Sequence, residues 1–300
     1  MAFTLSNLLQ ETYKRLGQWN ESIVTGTSNS TTVIEDSVLA NEGADDDWKG
    51  GAIFLVYDSS GSIEGEFSRI SAYTDSSGKF TFDTFSTKVQ ATDRYGYVSE
   101  LYPLQSMISL ANTTLQSLGN IPNISTSVTS SANQTEYNIA PVLKRNPPYR
   151  IDLQTNITNS SANAWKEIPR GDWEFIPSSA GSSAQIHFDH YLPTGRKLRI
   201  WYDDDHPYIH VSSNVIYEGW DRELVTLVMV DKALEWQNSR LQGGDQFLLQ
   251  RWNDAKMEAA AARVRFPMWK PKRKSKTLSF GGGGGDHLPY PWPYGPGSSA

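Results

Sequence analysis

Apolar positions along the chain change period several times, and each change marks an element. From about residue 4 to residue 18, Leu5, Leu8, Leu9, Thr12, Tyr13 and Leu16 recur at helical spacing. Thr4 or Ser6 can cap this helix and Gly17 can end it. So short an amphipathic helix is not stable in water by itself, so it must pack on another part of the fold. From about residue 21 to residue 98 the period drops to two. Thr32-Val33-Ile34, residues 52–57, residues 66–73 and Lys79-Phe80-Thr81-Phe82 read as strands. Gly50-Gly51, Ser59-Ser60-Gly61 and residues 75–78 punctuate them, a pattern expected of a small antiparallel barrel or sandwich.

A helical period returns over about residues 103–118. Leu104, Met107, Ile108, Ala111, Leu115 and Leu118 form its stripe, Pro103 suits its first turn and Gly119 stops it. A second β-rich stretch opens at Asn120-Ile121-Pro122. Its clearest strands are residues 135–139, 149–153, 184–188 and 197–202, separated by turns rich in Pro, Gly, Asn and Ser. The last periodic block is helical. Residues 221–240 are apolar around most of the circumference, as in a buried helix or one that meets a second chain. Gly243-Gly244 breaks that run. Residues 245–266 then form a helix with Phe247, Leu248, Trp252, Ala255 and Ala259 expected on one side.

After Pro267 the chain becomes an extended basic stretch, then the Gly281 to Gly285 linker, then a Pro-aromatic segment over residues 288–294. The pattern therefore predicts an α+β fold: a small helical core of four helices, two β-rich barrel or sandwich modules and an extended C-terminal arm. The expected divisions are 1–20 (first core helix), 21–100 (inserted β module), 101–120 (second core helix), 121–217 (second β module), 218–266 (C-terminal helical pair) and 267–300 (docking arm).

Composition adds three constraints. Hydrophobic content is only 38%, yet 10 Trp, 14 Tyr and 11 Phe supply enough buried area for a core. There is no cysteine, which excludes disulfides and thiolate metal sites. The net charge of −6 conceals an asymmetry: residues 263–276 carry seven basic side chains and no acidic one. The remainder is therefore near −13, an acidic body with a basic arm suited to an acidic partner surface or to nucleic acid. The N-terminal pattern includes Glu11, Lys14 and Arg15, so it does not read as a signal peptide. No run approaches the ~20 apolar residues of a membrane span, and no membrane partner is expected.

Candidate chemistry is sparse. Asp203-Asp204-Asp205-His206 with His210, and with His187, Asp189 and His190, offers ligand types for a divalent ion. The spacing matches no calcium loop, and a turn after the strand ending at Tyr202 is the simpler reading. Asp45-Asp46-Asp47 reads as a solvated loop. There is no Gly-x-Ser-x-Gly elbow, and the glycine run lacks a following Lys-Ser/Thr. No catalytic, cofactor-binding or metal-binding residue is assigned, no cofactor is expected, and the chain is not expected to be an enzyme.

Three passages carry a resemblance. The first is Trp48-Lys49-Gly50-Gly51-Ala52-Ile53-Phe54, with residues 65–73 and Asp93-Arg94-Tyr95-Gly96-Tyr97. The second is residues 102–119. The third is Ala233-Leu234-Glu235-Trp236 with Gly243-Gly244-Asp245 and Arg265-Phe266-Pro267. In this order they resemble the head-to-tail adaptor, or head completion, proteins of the necks of tailed bacteriophages. The likeness touches much of residues 1–270; the β segments are large for such a protein, and the segment after Gly285 has no counterpart.

The resemblance implies a structural virion protein, assembled in the host cytoplasm, that forms a homo-oligomeric ring, a dodecamer, beneath the portal. Such a ring extends the DNA channel, passes the viral DNA through its lumen during ejection, and joins capsid to tail or nozzle proteins. Portal docking is then expected of Arg263, Arg265, Phe266, Trp269, Lys270, Lys272, Arg273 and Lys274. Packing between subunits is expected of Leu224, Leu227, Val228, Leu234 and Trp236. The alternatives are a tail or baseplate module binding receptor or glycan through aromatic β surfaces, and a metal-dependent hydrolase using the Asp203 to His210 cluster.

Overall fold

A computed structural model describes residues 2–139, 147–155, 165–179, 183–242 and 244–267. Among the described residues, four helices and thirteen strands give the α+β fold that the apolar pattern predicts. The first helix, α1 (Leu5–Arg15), starts at a capping box built by Thr4 and Asn7: Thr4 Oγ1 accepts from the Asn7 N–H at 3.3 Å, and Asn7 Oδ1 accepts from the Thr4 N–H at 3.1 Å. The others are α2 (Leu104–Ser117), α3 (Arg222–Arg240) and α4 (Gln246–Arg265). Pro103 lies at the N-cap of α2, one position earlier than its suitability for the first turn suggests.

The helix α3 sits against α1, α2 and α4 together. Its Leu224, Val225, Leu227, Val228, Met229, Val230, Ala233 and Leu234 are all buried. A helix apolar on every side is stable only when surrounded. Here the chain surrounds it with its own helices, which corrects the expectation that Leu224, Leu227, Val228 and Leu234 meet a second subunit. Trp236 is half-buried, with its ring 6.3 Å from that of Tyr102.

Residues 205–219 fasten the beginning of the chain to α2. The N–H groups of Leu5 and Ser6, which have no partner within α1, donate to the carbonyls of Asn214 and Ser212. The Ile216 N–H donates to Phe3 O. From α2, the Asn112 amide donates to Ile209 O and accepts from Ile209 N, both at 2.8 Å.

The first β module is one antiparallel sheet of six strands, curled into half a barrel. Its strands are β1 (Asn20–Ile23), β2 (Val33–Glu35), β3 (Ala52–Tyr57), β4 (Phe67–Thr74), β5 (Lys79–Phe82) and β6 (Arg94–Val98), in the order β1-β6-β3-β4-β5-β2. Register shifts between Leu55 and Tyr57 and between Ile70 and Ala72 supply the bend. The strand β3 is buried on both faces. Ala52 and Phe54 join the helical core, while Ile53 and Leu55 face a second core with Phe80, Phe82 and Tyr95. That is why it reads as a continuous apolar run.

The second module contains β7 (Ile121–Ser125), β8 (Glu136–Asn138), β9 (Arg150–Gln154), β10 (Trp165–Ile168), β11 (Trp173–Ile176), β12 (Gln185–Phe188) and β13 (Leu198–Asp204). A four-stranded sheet, β10-β9-β13-β7, and a three-stranded sheet, β11-β12-β8, share a core that includes Ile151, Trp173, Ile186, Phe188, Leu198 and Ile200. Two sheets on one core make a sandwich. Pro122 is tolerated because β7 is an edge strand.

Five strands are not among those named from the sequence: β1, β6, β7, β10 and β11. Each is only four or five residues long, and Gly96 interrupts the alternation of β6. The glycine is required there because a Cβ would stand 2.0 Å from the ring of Trp19.

Buried carboxylates close the turns of the first module. Asp58 accepts from the N–H groups of Ser60, Ser62 and Ile63 and from the Ser60 hydroxyl. Burial works to raise its pKa, but these donors outweigh burial and hold it well below the usual carboxylate range. Asp93 accepts from the Ser59 and Gln90 N–H groups, and Asp36 from the Tyr95 hydroxyl at 2.8 Å. Asp58→Ala strands several of these donors and should lower stability by about 2–3 kcal/mol in urea unfolding. A change within the error of that titration would show that the turn forms without the carboxylate.

Candidate interaction surface

Helix α4 carries the described part of the expected docking residues. Asp245 caps it, accepting from the Phe247 N–H at 2.9 Å and the Leu248 N–H at 3.2 Å. Its inner side is Ala255, Ala259 and Ala262, buried against the helical core, with Leu248 and Trp252 beside them. The small alanines let α4 approach α3 closely. Trp252 Nε1 donates to Asp231 Oδ1 of α3 at 3.0 Å, and Arg251 donates to Arg15 O at the end of α1 at 3.0 Å. Phe247 is not on this side: it is 77% exposed. At about 100° per residue, Ala255 has turned roughly 80° away from Phe247 over eight residues.

At the C-terminal end, Arg263 and Arg265 are exposed in the last turn, where positive charge opposes the helix dipole favourably. Arg265 reaches Glu223 at 3.8 Å, a loose surface pair. Phe266 is half-buried against the helical core, beneath the Arg265 guanidinium at 5.0 Å. It therefore anchors the end of α4 within this chain. Trp269, Lys270, Lys272, Arg273 and Lys274 lie outside the described residues.

The acid–histidine run after β13 does not converge. Among the described residues no three His, Asp or Glu side chains are placed to hold a metal ion. His206 is buried, stacked on Trp220 at 5.4 Å between centroids. Its Nδ1 lies 2.8 Å from Pro207 O, and its Nε2 accepts from the Tyr217 N–H at 3.2 Å. Both ring nitrogens are thus committed to the backbone, in the neutral tautomer protonated on Nδ1. Asp204 accepts from the Asp205 N–H at 2.9 Å, as a turn residue does. His210 is exposed, and His187 lies 3.6 Å from Glu136 in the other sheet of the sandwich. Asp45, Asp46 and Asp47 each accept from a nearby backbone N–H, and Asp46 also pairs with Lys49 at 2.9 Å.

The outer face of the four-stranded sheet offers aromatic side chains, but arginines cover them. The Arg199 guanidinium stands 4.0 Å from the centre of the Trp165 ring, and that of Arg150 stands 5.6 Å from Trp201. Buried Asp152 accepts from Arg150 Nε at 2.6 Å and from Trp201 Nε1 at 2.8 Å. A sugar ring stacking there would have to displace these cations. One cleft, of about 670 Å³, is lined by Ala2, Phe3, Glu218, Gly219, Trp220, Asp221 and Arg222. It holds no histidine, serine or threonine. No helix among the described residues is long and apolar enough to cross a membrane. Compared with protein-family models and with curated proteins, the chain matches none.

Burial lowers the pKa of His206, a pull only partly opposed by the Pro207 carbonyl. A group with a depressed folded pKa binds its proton more readily once unfolded. Stability should therefore be full above about pH 6.5, the ordinary histidine value, and fall as the pH drops below it. Protonation would turn Nε2–H against the Tyr217 N–H. In a series of melting temperatures between pH 7.5 and pH 5, His206→Gln should lose this slope; a slope equal to that of the parent would assign it to other groups.

Proposed function

We propose that the chain is a structural subunit of a tailed-phage virion: a head-to-tail adaptor that forms a ring beneath the portal. The observation that carries this reading is the grouping of the elements. Four helices drawn from both ends and the middle of the chain form one core, and the two β modules are insertions between α1 and α2 and between α2 and α3. That is the plan which the sequence resemblance implies. The clefts and the acid–histidine run offer a metal-dependent hydrolase little, and the arginine-covered tryptophans offer a glycan-binding module little.

In this reading the helical core stacks in the ring and the β modules reach neighbours or the virion exterior. The exposed Arg263 and Arg265 lead into Trp269, Lys270, Lys272, Arg273 and Lys274, and this arm engages an acidic portal surface. Trp269 is the anchor, because buried aromatics dominate interface energetics. The other partners are tail or nozzle proteins and the viral DNA in the lumen, where an acidic body keeps DNA from adhering.

Electron microscopy of the purified protein and of particles tests the ring. The expected image is a closed ring of about twelvefold symmetry at the neck. A strict monomer missing from particles would overturn the reading. Truncation after Pro267 removes none of the buried residues of the helical core, so the chain should stay folded by circular dichroism while losing co-sedimentation with portal rings. Undiminished co-sedimentation would place the portal contact elsewhere.

A further inference from the structure

Helix α4 presents two unlike flanks on either side of an uncharged outer face. Ala255, Ala259 and Ala262 point to the core, so the opposite line runs through Gln246, Gln250, Asn253, Met257, Ala260 and Val264. None of these is charged, and Met257 is 65% and Val264 83% exposed. On one flank lie Leu249, Lys256 and Arg263. On the other lie Phe247, Asp254, Glu258 and Arg265, the last reaching Glu223 of its own chain at 3.8 Å. Asp254 and Glu258 have no ion-pair partner among the described residues.

The flanks are matched in height as well as in chemistry. Lys256 is two residues from both Asp254 and Glu258, about 3 Å along the axis, and Phe247 is as close in height to Leu249. Two copies of α4 could lie antiparallel or parallel. An end-over-end rotation keeps each flank on its own side, so the antiparallel pair sets Lys256 against Lys256 and Asp254 against Glu258. The parallel arrangement sets the flanks together as Lys256 against Asp254 and Glu258, Leu249 against Phe247, and Arg263 level with Arg265, whose charge Glu223 of its own chain already faces. Like charges brought together are disfavoured and unlike charges fix register.

We propose that α4 is a self-association surface: its Leu249–Lys256–Arg263 flank packs on the Phe247–Asp254–Glu258 flank of a parallel α4 in a second copy of this chain. Because the matched residues are level, the operation joining the copies carries little translation, and the assembly closes instead of growing as a filament. The contact stands on α4 alone, and it supplies the subunit interface that the ring reading requires.

The parent chain has no cysteine, so engineered ones report cleanly. Under mild oxidation of the full chain, the double variant Phe247→Cys with Leu249→Cys should form disulfide-linked oligomers, while each single variant stays unlinked. Separately, Lys256→Glu should weaken association about fivefold to tenfold in sedimentation equilibrium. Adding Asp254→Lys and Glu258→Lys to it should restore association. A chain that remains monomeric at high micromolar concentration overturns the proposal, as do singles that link as readily as the double. Rings seen by microscopy with residues 247 and 249 unlinked would sink this contact and leave the ring standing. Linked chains that form no ring and enter no particle would do the reverse.

Discussion

The architecture depends on enclosing α3. Its apolar residues occupy every side, so no arrangement that leaves one side in water is stable. Enclosure needs α1 from the beginning of the chain, α2 from its middle and α4 after it. The long intervening segments must then leave the helical core and return. They do so as β modules with cores of their own, which is why the described residues hold three separate apolar clusters. The strand β3 is the shared wall between two of these clusters, with alternate side chains serving each.

Polar groups inside this frame act as fasteners. Asn112 joins α2 to the loop that also caps α1, and His206 holds that loop through both ring nitrogens. Asp36, Asp58 and Asp93 are buried acids whose oxygens are taken by turn N–H groups and hydroxyls. Each sits where the chain must turn sharply at the edge of a core. The alternative to such a bond is a buried unpaired donor, which costs more than the bond gains. Of the acids and histidines that read as candidate chemistry, Asp45, Asp46, Asp47, Asp204 and His206 are likewise engaged in holding loops.

What remains for function is surface. The exposed positions of α4 and the basic end of that helix are not consumed by the fold, whereas the apolar positions of α3 are. The sequence expectation reversed part of this assignment: it offered α3 to a neighbour and put Phe247 on one side of α4 with Leu248, Trp252, Ala255 and Ala259. Both departures have one origin. An all-apolar helix looks the same whether its own chain or another covers it, and a helix side at about 100° per residue cannot be assigned until the buried direction is known.

Local spacing alone determined the four helices and most of the longer strands, because their periods of 3.6 and 2 are written in consecutive residues. Residues 5–16, 104–118, 221–240 and 52–57 are legible in that way. Several of the short strands were not, since a four-residue strand such as Trp165–Ile168 is stabilised by its neighbours across the sheet and not by its own pattern. Nor was the fate of Asp58, His206 or Gly96 legible: each depends on a group placed beside it by the fold, as the Trp19 ring is placed over Gly96. The basic arm could be read as charge, and where α4 directs its beginning could not. Which helix is enclosed and which keeps a free face was decided only when all four met, because burial is a property of the assembled core and not of any one segment.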